Sequence, residues 1–401
     1  MKNHYICNKY SISINIHTNM KKSFILAMVV LATALSSCQK GGNETTLSGL
    51  NPKDFETVVD GDSTALYVLK NKNGMEVCIT NFGARIVSIM VPNKDGVPTD
   101  VVLGFDSIGP YTTVKSDFGA AIGRYANRIN QGKIKVDGQE IQLPQNNYGH
   151  CLHGGPQGWQ YKVFKANPIN ENTIQFALES PDGDMNFPGN VKAYVTYKLN
   201  DMNEIDIKYE ATTDAPTVIN MTNHSYFNLN GDATQTILND TLFLNADKFT
   251  PVDSTFMTTG EIASVFDTPF DFTTATTVGE RIDTEGNVQL QNGHGYDHNW
   301  VLNSNGDISQ IAARLISPTT GIVLEVYTDQ PGIQVYAGNF LDGTVTGKKG
   351  TKYERRTAIC LETQVYPDSP NKQGKEGWPN CYLKPGEKYT HETIFRFSVN
   401  E

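Results

Sequence analysis

Apolar and polar residues alternate with a period of two along much of the chain. In 204–210, Ile205, Ile207 and Tyr209 alternate with Asp206, Lys208 and Glu210. In 173–178, Ile174, Phe176 and Leu178 fall on one face. The segments 191–199, 322–327 and 393–399 are likewise rich in β-branched and aromatic residues. This is the pattern of half-buried strands. Turn dipeptides punctuate it: Asn73-Gly74, Asp95-Gly96, Asp182-Gly183, Asn230-Gly231 and Pro385-Gly386. Asp137-Gly138, inside 135–143, predicts a tight hairpin. No segment carries a long 3.6-residue apolar period with caps at both ends, and no strand–helix rhythm recurs. The pattern predicts an all-β chain: one large antiparallel sandwich of many strands.

The 401 residues are 38% hydrophobic and 19% charged, the composition of a globular protein. A net charge of -10 argues against general nucleic-acid binding, which needs a basic face. The N-terminus departs from the strand pattern. Residues 1–37 contain Lys2, Lys9, Lys21 and Lys22 and no acid, and the apolar run from Phe24 ends at Leu35. That run is too short to span a bilayer and predicts an export signal. Leu35-Ser36-Ser37-Cys38 resembles a bacterial lipoprotein signal, which makes Cys38 the expected lipidated residue and the membrane a partner through that anchor. Ser37 departs from the usual Gly or Ala. Met20, followed by two lysines, is a better translation start than Met1, so 1–19 is expected to be a mis-called start. The expected organisation is a signal over 1–37, a tether over 38–50 and one domain over 51–401. The predicted location is the bacterial cell envelope, facing either the periplasm or the exterior. Cys78, Cys151, Cys360 and Cys381 are widely spaced, without a C-x-x-C pair, and are expected to be buried thiols.

Several polar clusters hold more His, Asn and Arg than strand packing needs. They are Gly123-Arg124-Tyr125-Ala126-Asn127-Arg128-Ile129, Leu152-His153-Gly154-Gly155, Thr222-Asn223-His224-Ser225-Tyr226-Phe227-Asn228 and Gly295-Tyr296-Asp297-His298-Asn299. Asp329-Gln330-Pro331-Gly332 and Cys360-Leu361-Glu362-Thr363-Gln364 follow. In this order the clusters resemble those of the aldose 1-epimerases, also called galactose mutarotases. The resemblance runs from Asn81-Phe82-Gly83-Ala84 to Leu383-Lys384-Pro385-Gly386-Glu387. It implies a β-supersandwich and interconversion of the α and β anomers of a free aldose, with galactose or glucose the expected sugar.

Anomer exchange opens a hemiacetal, which requires one proton removed from the C1 hydroxyl and one delivered to the ring oxygen. A carboxylate and a protonated imidazole suit those tasks. The resemblance implies Glu362 as base and His224 as acid, with His153 binding near the ring oxygen. It also implies that Asn127, Arg128, Asp297 and Gln330 bind sugar hydroxyls, which both donate and accept hydrogen bonds. No cofactor or metal is expected. His294, Asp297 and His298 form an H-x-x-D-H cluster, but Gly293 and Gly295 oppose the helix that a metal motif of this kind needs. Trp159 and Trp300 are expected in the core. Trp159 stands where the family commonly has Phe, and Phe164 where it has Trp, which leaves the rim of the cleft and the sugar preference open. A non-catalytic sugar-binding lipoprotein on the same fold is the alternative function.

Overall fold

The computed structural model describes residues 45–400. The expected signal, the alternative start at Met20 and the lipid-bearing Cys38 lie outside the described residues. From Thr45 onward the chain forms one compact unit. Its packing starts earlier than the expected boundary at 51. Thr46, Ser48 and Leu50 are buried, and the Leu47 amide donates to Glu76 Oε1 at 2.7 Å. Apolar periodicity cannot register a segment this short, and the last residues of the expected tether over 38–50 pack on the body instead.

Three antiparallel sheets carry most of the described fold. A nine-stranded sheet has the order Lys165–Asn170, Thr173–Ser180, Val191–Leu199, Glu204–Thr213, Tyr389–Val399, Ile322–Thr328, Ile311–Ile316, Thr241–Leu244 and Thr276–Thr277. A six-stranded sheet has the order Tyr226–Phe227, Ile359–Gln364, Gly332–Tyr336, Asp297–Val301, Lys248–Thr250 and Ala263–Ser264. A four-stranded sheet of Leu66–Lys70, Glu76–Thr80, Arg85–Pro92 and Pro98–Asp100 completes the set. Among the described residues the two α-helices, Ile108–Thr113 and Val288–Gly293, have six residues each. The expected hairpin forms between Lys133–Val136 and Gln139–Gln142. Asp137 and Gly138 take φ of 49° and 82°, as the twist of a two-residue turn demands.

Period two explains the outer sheet. Val191–Leu199 buries Val191, Ala193, Val195, Tyr197 and Leu199, and turns the residues between them outward. Central strands of the six-stranded sheet behave differently, because Gly332–Tyr336 and Ile359–Gln364 are buried at every position. One face, with Ile333, Val335, Ile359 and Leu361, enters the main apolar core shared with Ile205, Ile207, Phe395 and Phe397. Phe227 and Phe395 meet edge to face at 5.1 Å across the two sheets. Each fully buried side chain of this size contributes about 1.5–3 kcal/mol. Trp159 and Trp300 belong to the same core, as does Phe164. The opposite face of the six-stranded sheet is polar and shielded by loops. It forms the floor of a cleft.

Candidate active site

Register builds that floor. Gln334 pairs with Glu362 on one side and with Asn299 on the other, while Tyr336 pairs with Asp297 and Cys360. Asp297, Gln334, Tyr336 and Glu362 therefore share one face and line a cleft of about 430 Å³. Asn127, His153 and His224 enter the same cleft from loops, and Arg128 from the short strand Arg128–Ile129. Six of the seven substrate-handling residues expected from sequence converge here.

Gln330 does not. It is buried elsewhere, with its side-chain amide donating to Asp329 Oδ1 at 2.9 Å and its backbone N–H to Thr328 Oγ1 at 3.1 Å. Gln334, four residues on, holds the cleft position. Its Nε2 donates to Asp297 Oδ1 at 2.7 Å. Gln334 lies two residues past the Asp329-Gln330-Pro331-Gly332 cluster, on the strand Gly332–Tyr336, and the register of that strand places it in the cleft. Replacing Gln334 by Ala strips Asp297 of a buried donor and is expected to raise KM about tenfold with a smaller change in kcat. Steady-state kinetics check this split.

The loops that supply the other side chains are tied to one another. The strand Thr222–Asn223 pairs with Ala121–Ile122, and His224 follows it directly. The His224 amide donates to Ala120 O at 2.9 Å, and its carbonyl accepts from Gly119 N at 2.9 Å. Asn223 braces the turn through its Nδ2 bond to Gly119 O and by accepting from Ser225 N. The His224 ring stacks on Tyr226 with centroids 5.0 Å apart. Asn127 and His153 lock each other, since Asn127 N donates to His153 Nδ1 and His153 N to Asn127 O, both at 3.1 Å. Both residues hold positive φ, 64° and 51°, a strained backbone that neighbouring structure must enforce. Gly154 follows at φ 78°, and a Cβ there would lie 2.2 Å from Gly123 O, so only glycine fits.

Arg128 is buried beneath the rim. Its Nε and Nη2 donate to Asn147 Oδ1 at 3.1 and 2.9 Å, and the guanidinium lies 4.8 Å from the Phe256 ring centre. Arg124, in the same motif, is turned away. It donates to Ser180 Oγ and to the Pro188 and Gly189 carbonyls, a structural role.

At the bottom of the cleft, His224 Nε2 stands 3.5 Å from Glu362 Oε1. Glu362 Oε2 and His224 Nδ1 are buried with no hydrogen-bond partner among the described residues. Burial, with Asp297 and Asp117 nearby, pushes the Glu362 carboxyl well above its ordinary range, while Arg128 opposes the shift. Burial pushes His224 down, opposed by Asp117. His153 is held well below its ordinary value by burial, then by His224 and Arg128. Burial raises Asp297, and Arg128 and Gln334 restrain it. Such opposed environments mark acid–base chemistry.

One donor atom each from Asp117, His153 and His224 lie within 4.8 Å of one another, as do donors from His224, Cys360 and Glu362. Their chemistry fits proton handling better than a metal. His153 Nδ1 already accepts the Asn127 amide, so the neutral ring carries its proton on Nε2 and offers no second lone pair. Burial beside Glu362 raises the Cys360 thiol well above its ordinary value, away from the thiolate a metal would bind. The H-x-x-D-H side chains diverge: Asp297 lines the cleft, His298 packs against Phe270, and His294 caps the helix Val288–Gly293. Cys78, Cys151, Cys360 and Cys381 are buried free thiols.

A carboxylate facing an imidazole, beneath side chains suited to hydroxyls, defines an enzyme that moves protons on a carbohydrate. Comparison with known proteins makes the class specific. The family model for aldose 1-epimerase matches residues 65–396. The galactose mutarotase of Rattus norvegicus is 41% identical over 325 residues, covering 81% of this chain and 92% of that protein. The aldose 1-epimerase of Escherichia coli (strain K12) is 38% identical over 341 residues, covering 84% of this chain and 96% of that one. Among solved structures, the GalM/aldose epimerase homologue from C. elegans superposes with a TM-score of 0.78 at 32% identity, covering 84% of this chain and all of that one. The chain belongs to the aldose 1-epimerase family. It is an isomerase that interconverts the α and β anomers of an aldose.

Proposed function

We propose that Glu362 and His224 are the base and the acid of this reaction. The observation that carries the assignment is their 3.5 Å approach in the cleft, with one unpartnered polar atom on each. Glu362 takes the proton of the C1 hydroxyl as the C1–ring-oxygen bond breaks. The electrons of that bond leave on the ring oxygen, which receives the His224 proton, and C1 becomes an aldehyde. Rotation about C1–C2 presents the other face of the carbonyl. Reclosure returns the ring-oxygen proton to His224 and the carboxyl proton to the new C1 hydroxyl. The enzyme ends as it began, and no electron is gained or lost. His153, with its proton on Nε2, supports the ring oxygen. Asn127, Arg128, Asp297 and Gln334 hold the remaining hydroxyls. A raised Glu362 suits the work, because a base is most effective when its affinity for protons approaches that of the group it serves.

The substrate of this reading is a free hexose, galactose or glucose, and the names of the related galactose mutarotases support galactose. The protein works in the bacterial envelope, anchored through lipidated Cys38; the basic, then apolar, N-terminal pattern supports this. A sugar-binding protein without turnover has no use for an acid and a base within reach of each other. Polarimetry of freshly dissolved α anomers tests the substrate. Galactose and glucose are expected to relax faster than in buffer, and faster than xylose or maltose. Equal rates for all four, or acceleration of neither hexose, would overturn the assignment.

A further inference from the structure

The cleft holds a charged group that the reaction as described leaves unused. Asp117 sits in the loop between the helix Ile108–Thr113 and the strand Ala121–Ile122, and it lines the cleft. One of its carboxylate oxygens lies within 4.8 Å of a ring nitrogen of His224 and of one of His153. Its Oδ1 is buried with no hydrogen-bond partner among the described residues. The loop is pinned on either side of it. The buried Arg85 guanidinium donates to Ser116 O at 3.0 Å, to Phe118 O at 3.1 Å and to Gln160 O at 2.6 Å. The Asp117 carbonyl also closes a turn with Ala120 N at 3.0 Å. An exposed acidic loop residue would have none of these restraints.

We propose that Asp117 is a positioning residue of the epimerase reaction, a fixed negative charge that keeps the transferring proton on His224 while Glu362 is being neutralised by the sugar. The inference rests on the assignment of Glu362 and His224 as base and acid. The need for such a charge follows from the cycle. When Glu362 accepts the C1 proton it ceases to be a counter-ion, at the moment His224 must still hold its own proton for the ring oxygen. A second anion that does not take part removes that conflict.

The surroundings leave few other candidates. His153 is kept neutral by burial, and the thiol of Cys360 and the phenols of Tyr226 and Tyr161 are held protonated in the same way. Arg85 and Arg128 are cations, and Arg85 works against a charged His224. Lys115 is exposed. Asp297 is committed to Gln334, and its charge acts on Glu362. Asp117 is the anion that acts on both partners, raising His224 and raising Glu362.

The sign of the test follows. Removing a negative charge makes the Glu362 anion easier to form and the His224 cation harder to keep. Both limbs of the kcat/KM–pH profile should move to lower pH in Asp117→Asn. A displacement of about one unit means an approximately tenfold loss on the alkaline side, with activity retained on the acid side. Asp117→Glu should restore most of the shift. A profile superimposable on that of the wild type would overturn the inference, even if the variant melts earlier, because a purely structural role lowers stability without moving the limbs. Asp117→Ser carries the same comparison if the Asn variant does not fold. Glu362→Gln is assayed alongside. Full activity there defeats the acid–base assignment itself, whereas an inactive Glu362→Gln with an unmoved Asp117→Asn profile defeats only the role of Asp117.

Discussion

Glu362→Gln should lower kcat by about 10³, within the range a positioned general base supplies, while KM changes little. The amide keeps the shape of the side chain on the strand Ile359–Gln364, so the sheet and its register with Gly332–Tyr336 persist. What it removes is the ability to take a proton. The wild-type pH profile belongs to the same prediction. Glu362 must be ionised to act, and burial beside Asp297 and Asp117 raises it. Activity should therefore fall on acidification at a pH well above the ordinary glutamate range. Polarimetric rates with a melting curve on the same sample decide the matter. A folded variant retaining more than about a tenth of wild-type kcat is incompatible with a base worth 10²–10⁴ in rate.

His224→Gln should cost about 10² to 10³ in kcat, and the alkaline limb of the profile should vanish with it. The substitution removes the proton donor and the ring stacked on Tyr226. His153 is unable to take over, because burial and Arg128 hold it neutral and its Nδ1 is engaged by the Asn127 amide. The double variant Glu362→Gln/His224→Gln should be scarcely slower than the worse single variant, since two groups serving one proton exchange act as a unit. Fully multiplicative losses would mean that the two residues act in separate steps.

The parts of the fold that the pattern of residues announces are those where only one face is buried. Val191–Leu199 and Glu204–Thr213 alternate cleanly and were legible. Ile359–Gln364 is buried on both faces, so alternation says little about it, and its chemistry came from the resemblance of its motif. Gln330 and Gln334 show the limit of such a resemblance. The matched cluster stops at Gly332, and the amide that reaches the cleft is the one that stands opposite Glu362 on the next strand, Gln334. Asp117 lies in a loop with no periodicity and in none of the matched clusters, so nothing along the chain marks it. Its place near His224 is fixed by two bonds from Arg85, more than thirty residues earlier in sequence, to Ser116 O and Phe118 O on either side of it. The packing of Thr46, Ser48 and Leu50 onto the body is likewise unmarked by any periodicity along the chain.

The central claim is that this cleft exchanges anomers by proton transfers between the sugar and the pair Glu362 and His224. The most direct measurement is the α–β exchange rate of [1-¹³C]galactose at equilibrium, by NMR magnetisation transfer. The wild-type protein should raise that rate in proportion to its concentration and leave the anomer ratio unchanged, and Glu362→Gln at the same concentration should raise it about 10³ times less. Exchange no faster than buffer with folded wild-type protein, or equal acceleration by Glu362→Gln, would contradict the account.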